Sequence, residues 1–577
     1  MKKLTKYITF SSVVLMLLSG CEDLKFGNDF LEKSTSTDVN IDEVYSKKVY
    51  AEQALAEVYR SLPEGLPVLG RLKYCMLESI TDLADSPKSG GIVDYFGTSN
   101  SATGGGNLAY RLDDDNSGRG PCSGIRRAYL FIENVDRVPD MTQNEKDIRK
   151  AEAKLIIAYH NSNMLRYYGG MPWISRSYQP QDNFTTERLT VEEYVNKIVA
   201  LIDEAAAVLP WSVPAADDGR MTKAAAMALK VRVLLFAASP LFNDDQPYTA
   251  GEAADKRYVW YGNKDQARWQ RALDAGLDFM REKEENGQYD LVKTGNPRAD
   301  FQASHFNRNN GEILISSRWH TTYNASLMEF KQISYGVAVS TLNLVDMFPM
   351  ADGTDFNWNN PEHAANPFFK NGKPVRDPRL YETCIVNGDA YAGRKAECYI
   401  GGREYKKYVM IKYTGFSIRK FYQDLTTNIG KFCEWPILRL PEIYLSIAEA
   451  FNEMGRSAEA YPYINMVRQR AGMPELNTGL DQSQLREAIL RERVLELAYE
   501  EVRFFDLTRW KRSDIWKSTY NLSGLEITKT GSTFSYNHVN VLNKRNSALN
   551  WDDHYFLHPI PVTEVNKKYG LIQNPGW

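Results

Sequence analysis

The chain of 577 residues has little of what most enzyme and nucleic-acid-binding motifs require. Its seven histidines are scattered, without the His-Glu-x-x-His or paired spacing of a zinc hydrolase. A Gly-x-Ser-x-Gly elbow, a Walker phosphate loop and a Gly-x-Gly-x-x-Gly fingerprint are all missing. The formal net charge is −3 and no long basic block occurs, which argues against nucleic acid as a partner. These absences favour a binding function over catalysis.

Cysteine is also scarce. Besides Cys21, the chain contains Cys75, Cys122, Cys384, Cys398 and Cys433. None is spaced Cys-x-x-Cys, so neither a zinc ribbon nor a thioredoxin-type redox pair is indicated. Because these five make an odd number, at least one thiol stays unpaired. Cys384 and Cys398 could close a disulfide in an oxidising envelope, and buried free thiols are the alternative.

Long apolar runs are absent except near the amino terminus. There, Lys2, Lys3 and Lys6 precede an apolar run at 8–18, which is shorter than the ~20 residues of a membrane-spanning helix. The run ends in Leu-Ser-Gly-Cys at 18–21, the box recognised by lipoprotein-processing enzymes. We therefore predict a signal peptide at 1–20 and a mature chain lipidated on Cys21, followed by an acidic tether at 22–29. An ordinary signal peptide with a coincidental cysteine is the alternative.

Helical patterns dominate two blocks, at about 43–239 and 436–510. In the first block, apolar residues recur at three- and four-residue spacing over about 43–62, 126–138, 145–168, 191–209 and 222–239. In the second block, the same spacing and its Pro and Gly boundaries predict helices over about 441–455, 458–471 and 483–501. Helices of this length and spacing predict tetratricopeptide-like hairpins.

Between the two blocks, at about 240–433, the chain is rich in Gly, Asn, Pro and aromatic residues. Short strand-like runs occur at 312–315 and 408–411. We therefore expect a mainly α fold, in which helical hairpins support a loop-rich, short-strand half that faces the ligand.

The helix expected over 483–501 carries many charges. Its charged residues are Glu487, Glu492, Glu496, Glu500, Glu501, Arg486, Arg491, Arg493 and, just beyond, Arg503. A glycosidase needs two carboxylates that flank the scissile bond. Opposite charges interleaved at three- and four-residue spacing are, however, typical of a salt-bridged helix surface. We favour that structural interpretation and expect no catalytic residue.

An acidic turn at 113–118 begins like a calcium-binding EF-hand loop. Asp113, Asp115 and Ser117 supply oxygen atoms at positions one, three and five, and Gly118 stands at position six. The twelfth position, where a bidentate glutamate belongs, is Gly124. A polar turn is the favoured interpretation and a looser calcium site is the alternative. No other metal or cofactor is expected.

Aromatic residues are abundant, with 34 tyrosines, 24 phenylalanines and 11 tryptophans, and some of them fall in loop-like segments. The candidates for glycan binding are Tyr95, Phe96, Trp319, Tyr323 and Trp358. An exposed aromatic ring with amides nearby can hold the apolar C–H face of a sugar in water. The alternative for each residue is a ring packed under a loop.

Several long motifs lie in the second half of the chain. They are RLPEIYLSIAEA at 439–450, NMVRQRAG at 465–472, RFFDLTRW at 503–510, HPIP at 558–561 and QNPGW at 573–577. Shorter ones precede them: GGMP at 169–172, GRMTK at 219–223, AASPLFN at 237–243 and DPRL at 377–380. Together they resemble the signatures of the SusD/RagB family of nutrient-binding outer-membrane lipoproteins, and the resemblance spans nearly all of the mature chain.

This resemblance implies a function as well as a fold. Family members are lipid-anchored at the Bacteroidetes outer membrane, face the cell exterior, and bind oligosaccharide or polysaccharide without cleaving it. They sit on a SusC-type TonB-dependent transporter, to which they deliver the glycan. Because the family's binding aromatics lie in variable loops, none is transferred by motif. The alternatives are a surface glycosidase and a tetratricopeptide-type protein scaffold without glycan binding.

Overall fold

The structure is a computed structural model. It describes residues 41–63, 65–66, 72, 75–86, 94–103, 110, 112, 120–179, 182, 187–318, 338–407, 411–421, 435–541 and 544–577. The predicted signal peptide, lipidated Cys21, acidic tether and acidic turn at 113–118 therefore lie outside the described residues, as do Trp319 and Tyr323.

Helices make up most of the fold, as predicted. The principal ones are α1 (Lys48–Tyr59), α2 (Pro121–Asn134), α3 (Gln143–Tyr168), α4 (Val191–Ala206), α5 (Lys223–Ala238), α6 (Ala267–Asn286), α7 (Pro297–Phe306), α8 (Leu440–Glu453), α9 (Ser457–Arg470), α10 (Gln482–Leu497) and α11 (Arg503–Arg509). Shorter helical segments include Tyr95–Ser99, Leu342–Met347, Pro361–Ala365, Leu380–Thr383, Arg403–Lys407, Ile411–Thr414, Ser513–Ser518 and Val562–Val565.

Side-chain caps fix where the main helices begin. At the start of α3, the Thr142 hydroxyl accepts the Glu145 N–H, and the Glu145 carboxylate accepts the Thr142 N–H. Thr190 and Glu193 form the same reciprocal pair at the start of α4. Such capping boxes satisfy backbone donors that lack a partner within the helix. The observed bounds therefore agree with those expected from the sequence for these two helices.

The principal helices pack in chain order. Each helix from α1 to α6 contacts the next, α6 then packs on α8, and α8 packs on both α9 and α10. Stacking of neighbouring helical hairpins in this way produces a continuous core, as in tetratricopeptide repeats. The helical half is thus a stiff platform that joins the two helical blocks.

The longest unexpected element is α6, which lies within the segment predicted to be loops and short strands. Its buried face includes Trp269, Leu273 and Phe279. Gly276 allows α6 to approach α8 closely, because a Cβ at this position would lie 2.5 Å from Cγ1 of Ile447. The prediction of loops and short strands is wrong for 267–286, because these residues form a helix that bridges the two helical blocks.

Strands are few and short. β1 (Ile313–Ser317) pairs antiparallel with β2 (Trp435–Arg439), and β3 (Ser523–Thr530) forms a hairpin with β4 (Thr533–Asn540). The strand-like run at 312–315 is thus confirmed by β1. At 408–411 the strand prediction is wrong for Ile411, which begins the helix Ile411–Thr414, and residues 408–410 are outside the described part.

The charged helix α10 lies inside the molecule, so the prediction of a salt-bridged surface is wrong for most of it. Glu492 and Arg493 are each 3% exposed, and Glu496 is 0% exposed. These charges are paired inside the molecule: Glu492 and Glu496 meet Arg379, and Arg493 Nε donates to Asp506 at 2.8 Å. Glu487 does match the prediction, because it is exposed and pairs with Arg512 at 3.0 Å.

Glu496 is the middle of a buried cluster that we call the ion-pair centre: Glu496, Glu500, Arg379, Arg439 and Arg470. The Glu496 carboxylate accepts hydrogen bonds from Arg439 Nη1 at 2.6 Å, from Arg379 Nη1 at 3.2 Å and from Arg470. Arg439 Nε also donates to Glu500 at 2.7 Å. Burial alone would raise the pKa of the Glu496 carboxyl, but the three guanidinium groups hold it well below its usual value.

For Cys384 and Cys398, the structure decides between a disulfide and buried free thiols. Cys384 and Cys398 are both buried free thiols, so the disulfide between them is wrong and the alternative of buried thiols is confirmed. Burial raises the pKa of the Cys384 thiol to about 12, which keeps it protonated and unreactive.

Candidate functional site

Tyr95 and Phe96 are the first of the predicted glycan-binding residues that the structure describes. Tyr95 is 1% exposed and Phe96 is 7% exposed. The Phe96 ring packs edge-on against Trp516 and Trp551, at centroid distances of 5.2 Å and 5.1 Å. The expectation that these two rings are exposed is wrong, because the helical segment Tyr95–Ser99 turns them into the core, where large rings bury the most apolar surface.

Trp358 is half-buried in an asparagine-rich loop, and its indole is held in one orientation. Nε1 donates to both carboxylate oxygens of Asp346, at 3.0 Å and 3.1 Å. The ring meets Phe356 and His538 edge-on, at centroid distances of 4.9 Å and 4.8 Å. A rigid, partly exposed indole with its N–H satisfied is suited to stacking on a flat apolar surface.

The surroundings of Trp358 are themselves braced. The Phe356 ring lies under the Arg376 guanidinium, 3.8 Å from ring centroid to Cζ, and stacks on His363 at 5.5 Å. Arg376 is buried and donates to the carbonyl oxygens of Val345 and Phe348, at 2.8 Å and 2.6 Å. These contacts therefore restrict movement of the loop and of the Trp358 indole.

The outer strand of the hairpin, β4, lies beside Trp358. Because side chains alternate along a strand, Phe534, Tyr536 and His538 share one face of the hairpin. On β3 the same face carries Leu525 and Ile527, which are buried. On β4 the rings remain at the rim: His538 is exposed, Tyr536 is half-buried and Phe534 is 37% exposed.

This row of rings contacts two neighbouring loops. Tyr536, in the middle of the row, lies 6.4 Å from Trp358 between ring centroids, and burial raises the pKa of its hydroxyl to about 12. At the end away from Trp358, Phe534 packs against half-buried Tyr399 at 5.6 Å. Lys529 Nζ lies 4.9 Å from the centroid of the Tyr399 ring.

We call these five residues, Trp358, His538, Tyr536, Phe534 and Tyr399, the aromatic strip. Their rings form a row along the rim of the hairpin, and the exposed amides of Asn357 and Asn359 stand beside Trp358. A row of ring faces with adjacent amides can stack on consecutive sugar units and hydrogen-bond their hydroxyl groups. Of the predicted candidates, the structure places Trp358 in this strip.

The sequence also contains a pattern that predicts the three strip residues on β4. Phe534, Tyr536 and His538 alternate with polar residues, directly after the two-residue turn Gly531-Ser532. A Gly-Ser pair between two alternating runs predicts a β-hairpin, and Gly531 adopts the positive φ of 64° that such turns require. The strand and its row of rings were therefore predictable, although their contact with Trp358 was not.

Metal-ligating and carboxylate side chains are the other candidates for chemistry in the described residues. No group of three or more His, Cys, Asp and Glu side chains in the described residues could hold a metal ion. The carboxylates of Glu492, Glu496 and Glu500 lie beneath arginines, at most 6% exposed. These acids serve as structural charges rather than as a pair flanking a surface groove.

Comparison with known families agrees with these features. A family model described as the SusD family matches residues 316–577, which include the whole aromatic strip. A second model, described as starch-binding associating with outer membrane, matches residues 112–235. The chain belongs to the SusD/RagB family. The resemblance predicted from the motifs is confirmed.

Relatives and solved structures extend this family assignment. SusD-like protein P25 of Formosa agariphila is 23% identical over 67% of this chain and 68% of its own length. SusD-like protein P2 of the same organism is 39% identical over 28% of this chain and 30% of its own.

Among solved structures, a SusD-like protein from Bacteroides fragilis has a TM-score of 0.71 and 23% identity, over 94% of this chain and all of that one. A laminarin-binding SusD-like protein has a TM-score of 0.57 and 18% identity, over 92% of this chain and all of that one. At these identities the likeness establishes the fold.

None of the helices in the described residues is both long enough and apolar enough to cross a bilayer.

Proposed function

We propose that the protein is a non-catalytic, surface-exposed glycan-binding lipoprotein that captures oligosaccharide and delivers it to a SusC-type TonB-dependent transporter. The observation that carries the proposal is the aromatic strip. In it, Asp346 holds the indole of Trp358, which lies next to the row of rings on β4. Family membership supports it, as does the laminarin-binding protein that shares the fold.

The proposal assigns separate roles to the parts of the chain. Lipid on Cys21 anchors the protein to the outer membrane, and the acidic tether keeps the body near its transporter. The stacked helices present a stiff surface for docking. Trp358 contacts glycan within the strip, and Trp319 and Tyr323 remain proposed contacts outside the described residues. Calcium stays a possible ligand of the acidic turn at 113–118.

Affinity electrophoresis on a panel of polysaccharide gels tests this function. Trp358→Ala should reduce retention by at least roughly tenfold, because removing an aromatic anchor of a binding site costs about 2 kcal/mol or more. Trp211→Ala is the matched control. Trp211 is a partly exposed tryptophan far from Trp358 in the sequence, and its Nε1 donates to the Gly287 carbonyl at 2.9 Å. Its retention should equal that of wild type.

Other outcomes would support the alternatives. If Trp358→Ala and Trp319→Ala both migrate like wild type in a retarding gel, the assigned site is wrong. New reducing ends that disappear on substitution of one carboxylate would identify a glycosidase. Retention by no glycan, together with capture of the transporter in a pull-down, would identify a protein scaffold.

A further inference from the structure

We propose that the ligand of the aromatic strip is an acidic polysaccharide, whose negative groups are held by a basic patch at the Phe534 end of the strip. This inference rests on the proposed function and names the substrate class for the same site. Its basis is a local excess of exposed positive charge that is placed against aromatic rings.

The excess is visible in a short stretch of sequence. Residues 394–412 contain six basic residues and two acidic residues, whereas the whole chain has 70 basic and 73 acidic residues. Both acids are already engaged: Glu404 is buried and pairs with Arg394, with Nη1 at 2.9 Å, and the Glu397 carboxylate accepts the Arg403 N–H at 3.1 Å. Residues 394–412 therefore keep a net positive charge.

We define the basic patch as Arg403, Lys406, Lys412 and Lys529. All four side chains belong to exposed residues, and within the described part of the chain none of them forms an ion pair. Like charges on one surface repel each other, which a neutral ligand would not relieve. Negative groups on the ligand would relieve this repulsion.

The patch contacts the aromatic strip through Lys529, and the helix that carries Lys412 packs on β3. Lys529 Nζ lies 4.9 Å from the Tyr399 ring centroid, and Lys412 Nζ lies 5.8 Å from that of Tyr405. The loop that carries Tyr399 is tied to β3, because the Ile400 N–H donates to the Ile527 carbonyl at 2.8 Å. Rings and cations thus share one surface.

This arrangement matches the two parts of an acidic sugar. The apolar ring face of each unit stacks on the aromatic side chains, and its carboxylate or sulfate lies toward the lysines and arginine. Ile400, at 44% exposed, and Phe534, at 37%, add apolar area to the same surface. A ligand held by charge alone, such as an anionic lipid surface, would not need the rings in a row.

Paired gels of alginate, an acidic polysaccharide, and dextran, a neutral one, test the inference with the full mature chain in detergent. Wild type should be retained by alginate and released by roughly 0.2 M salt, because exposed charges are screened beyond about 8 Å. Lys412→Ala combined with Lys529→Ala should weaken retention roughly tenfold. Arginine at both positions should restore it.

Two controls separate this inference from simple attraction between opposite charges. Lys264 and Lys293 are exposed lysines outside the patch, and alanine at both should leave retention by alginate unchanged. Phe534→Ala should weaken retention as well, because stacking and charge act together. If Phe534→Ala has no effect, the patch attracts any polyanion and the inference is overturned.

The remaining outcomes distinguish the two proposals. Retention by dextran but not by alginate, with no effect of the lysine substitutions, would overturn the acidic ligand and leave glycan binding standing. Retention by neither gel, nor by a broad panel of polysaccharides, would overturn the proposed function itself.

Discussion

The ion-pair centre and the aromatic strip fix their side chains by opposite means. In the centre, five charged residues are at most 6% exposed and form ion pairs that join α9, α10, β2 and Arg379. In the strip, rings are braced from behind and left partly exposed at the rim of a hairpin. Buried ion pairs hold distant segments of the fold together, whereas the partly exposed rings form the surface that we propose binds glycan. Stability and binding should therefore be separable by mutation.

The largest expected effect lies in the ion-pair centre. Glu496→Ala leaves Arg379, Arg439 and Arg470 buried without their shared carboxylate, which should lower the free energy of unfolding by about 3–5 kcal/mol. Glu487→Ala on the same helix is the control, and should cost within about 0.5 kcal/mol because its ion pair is exposed. Urea denaturation measures both. Equal losses for the two variants would show that the centre is not a stabilising network.

A smaller effect concerns the pH dependence of stability. Glu78 is 1% exposed and accepts the Glu501 N–H at 2.6 Å, and burial raises the pKa of its carboxyl to about 8, helped by the charge of Glu501. The folded state therefore keeps a proton that the unfolded chain releases above about pH 4.3. The free energy of unfolding should fall as pH rises from there to about 8, by at most about 1.4 kcal/mol per pH unit.

Glu78→Gln should remove this contribution, because glutamine stays neutral at every pH. Urea denaturation at pH 6 and pH 7.5 compares the variant with wild type. An unchanged difference between the two pH values would contradict the raised pKa of Glu78.

The smallest expected effect is on glycan affinity, when the hydrogen bond from Trp358 to Asp346 is weakened. Asp346→Asn keeps an acceptor oxygen for Trp358 Nε1 but removes its charge, and hydrogen bonds to charged groups are stronger than neutral ones by about 1 kcal/mol. Glycan affinity should fall a few-fold, while the urea midpoint stays close to that of wild type. A large loss of stability instead would place Asp346 with the structural charges of the core.

Periodicity and end signals predicted the helices of the two blocks, because an amphipathic helix needs information from one segment alone, although α6 between the blocks was not predicted. They missed the burial of α10, since the arginines that neutralise Glu496 lie at 379, 439 and 470, far along the chain. The same limit applies to the aromatic residues. Trp358 and His538 meet although they are 180 residues apart, and Phe96 packs on Trp516 and Trp551. Local sequence shows a ring in a loop but not what covers it.

A crystal structure of the protein with an oligosaccharide cut from a polysaccharide that retains it would test the site most directly. The account predicts one sugar ring stacked on the indole of Trp358, with the next units following β4 towards Phe534 and Tyr399. Sugar bound elsewhere, with the aromatic strip empty, would contradict it.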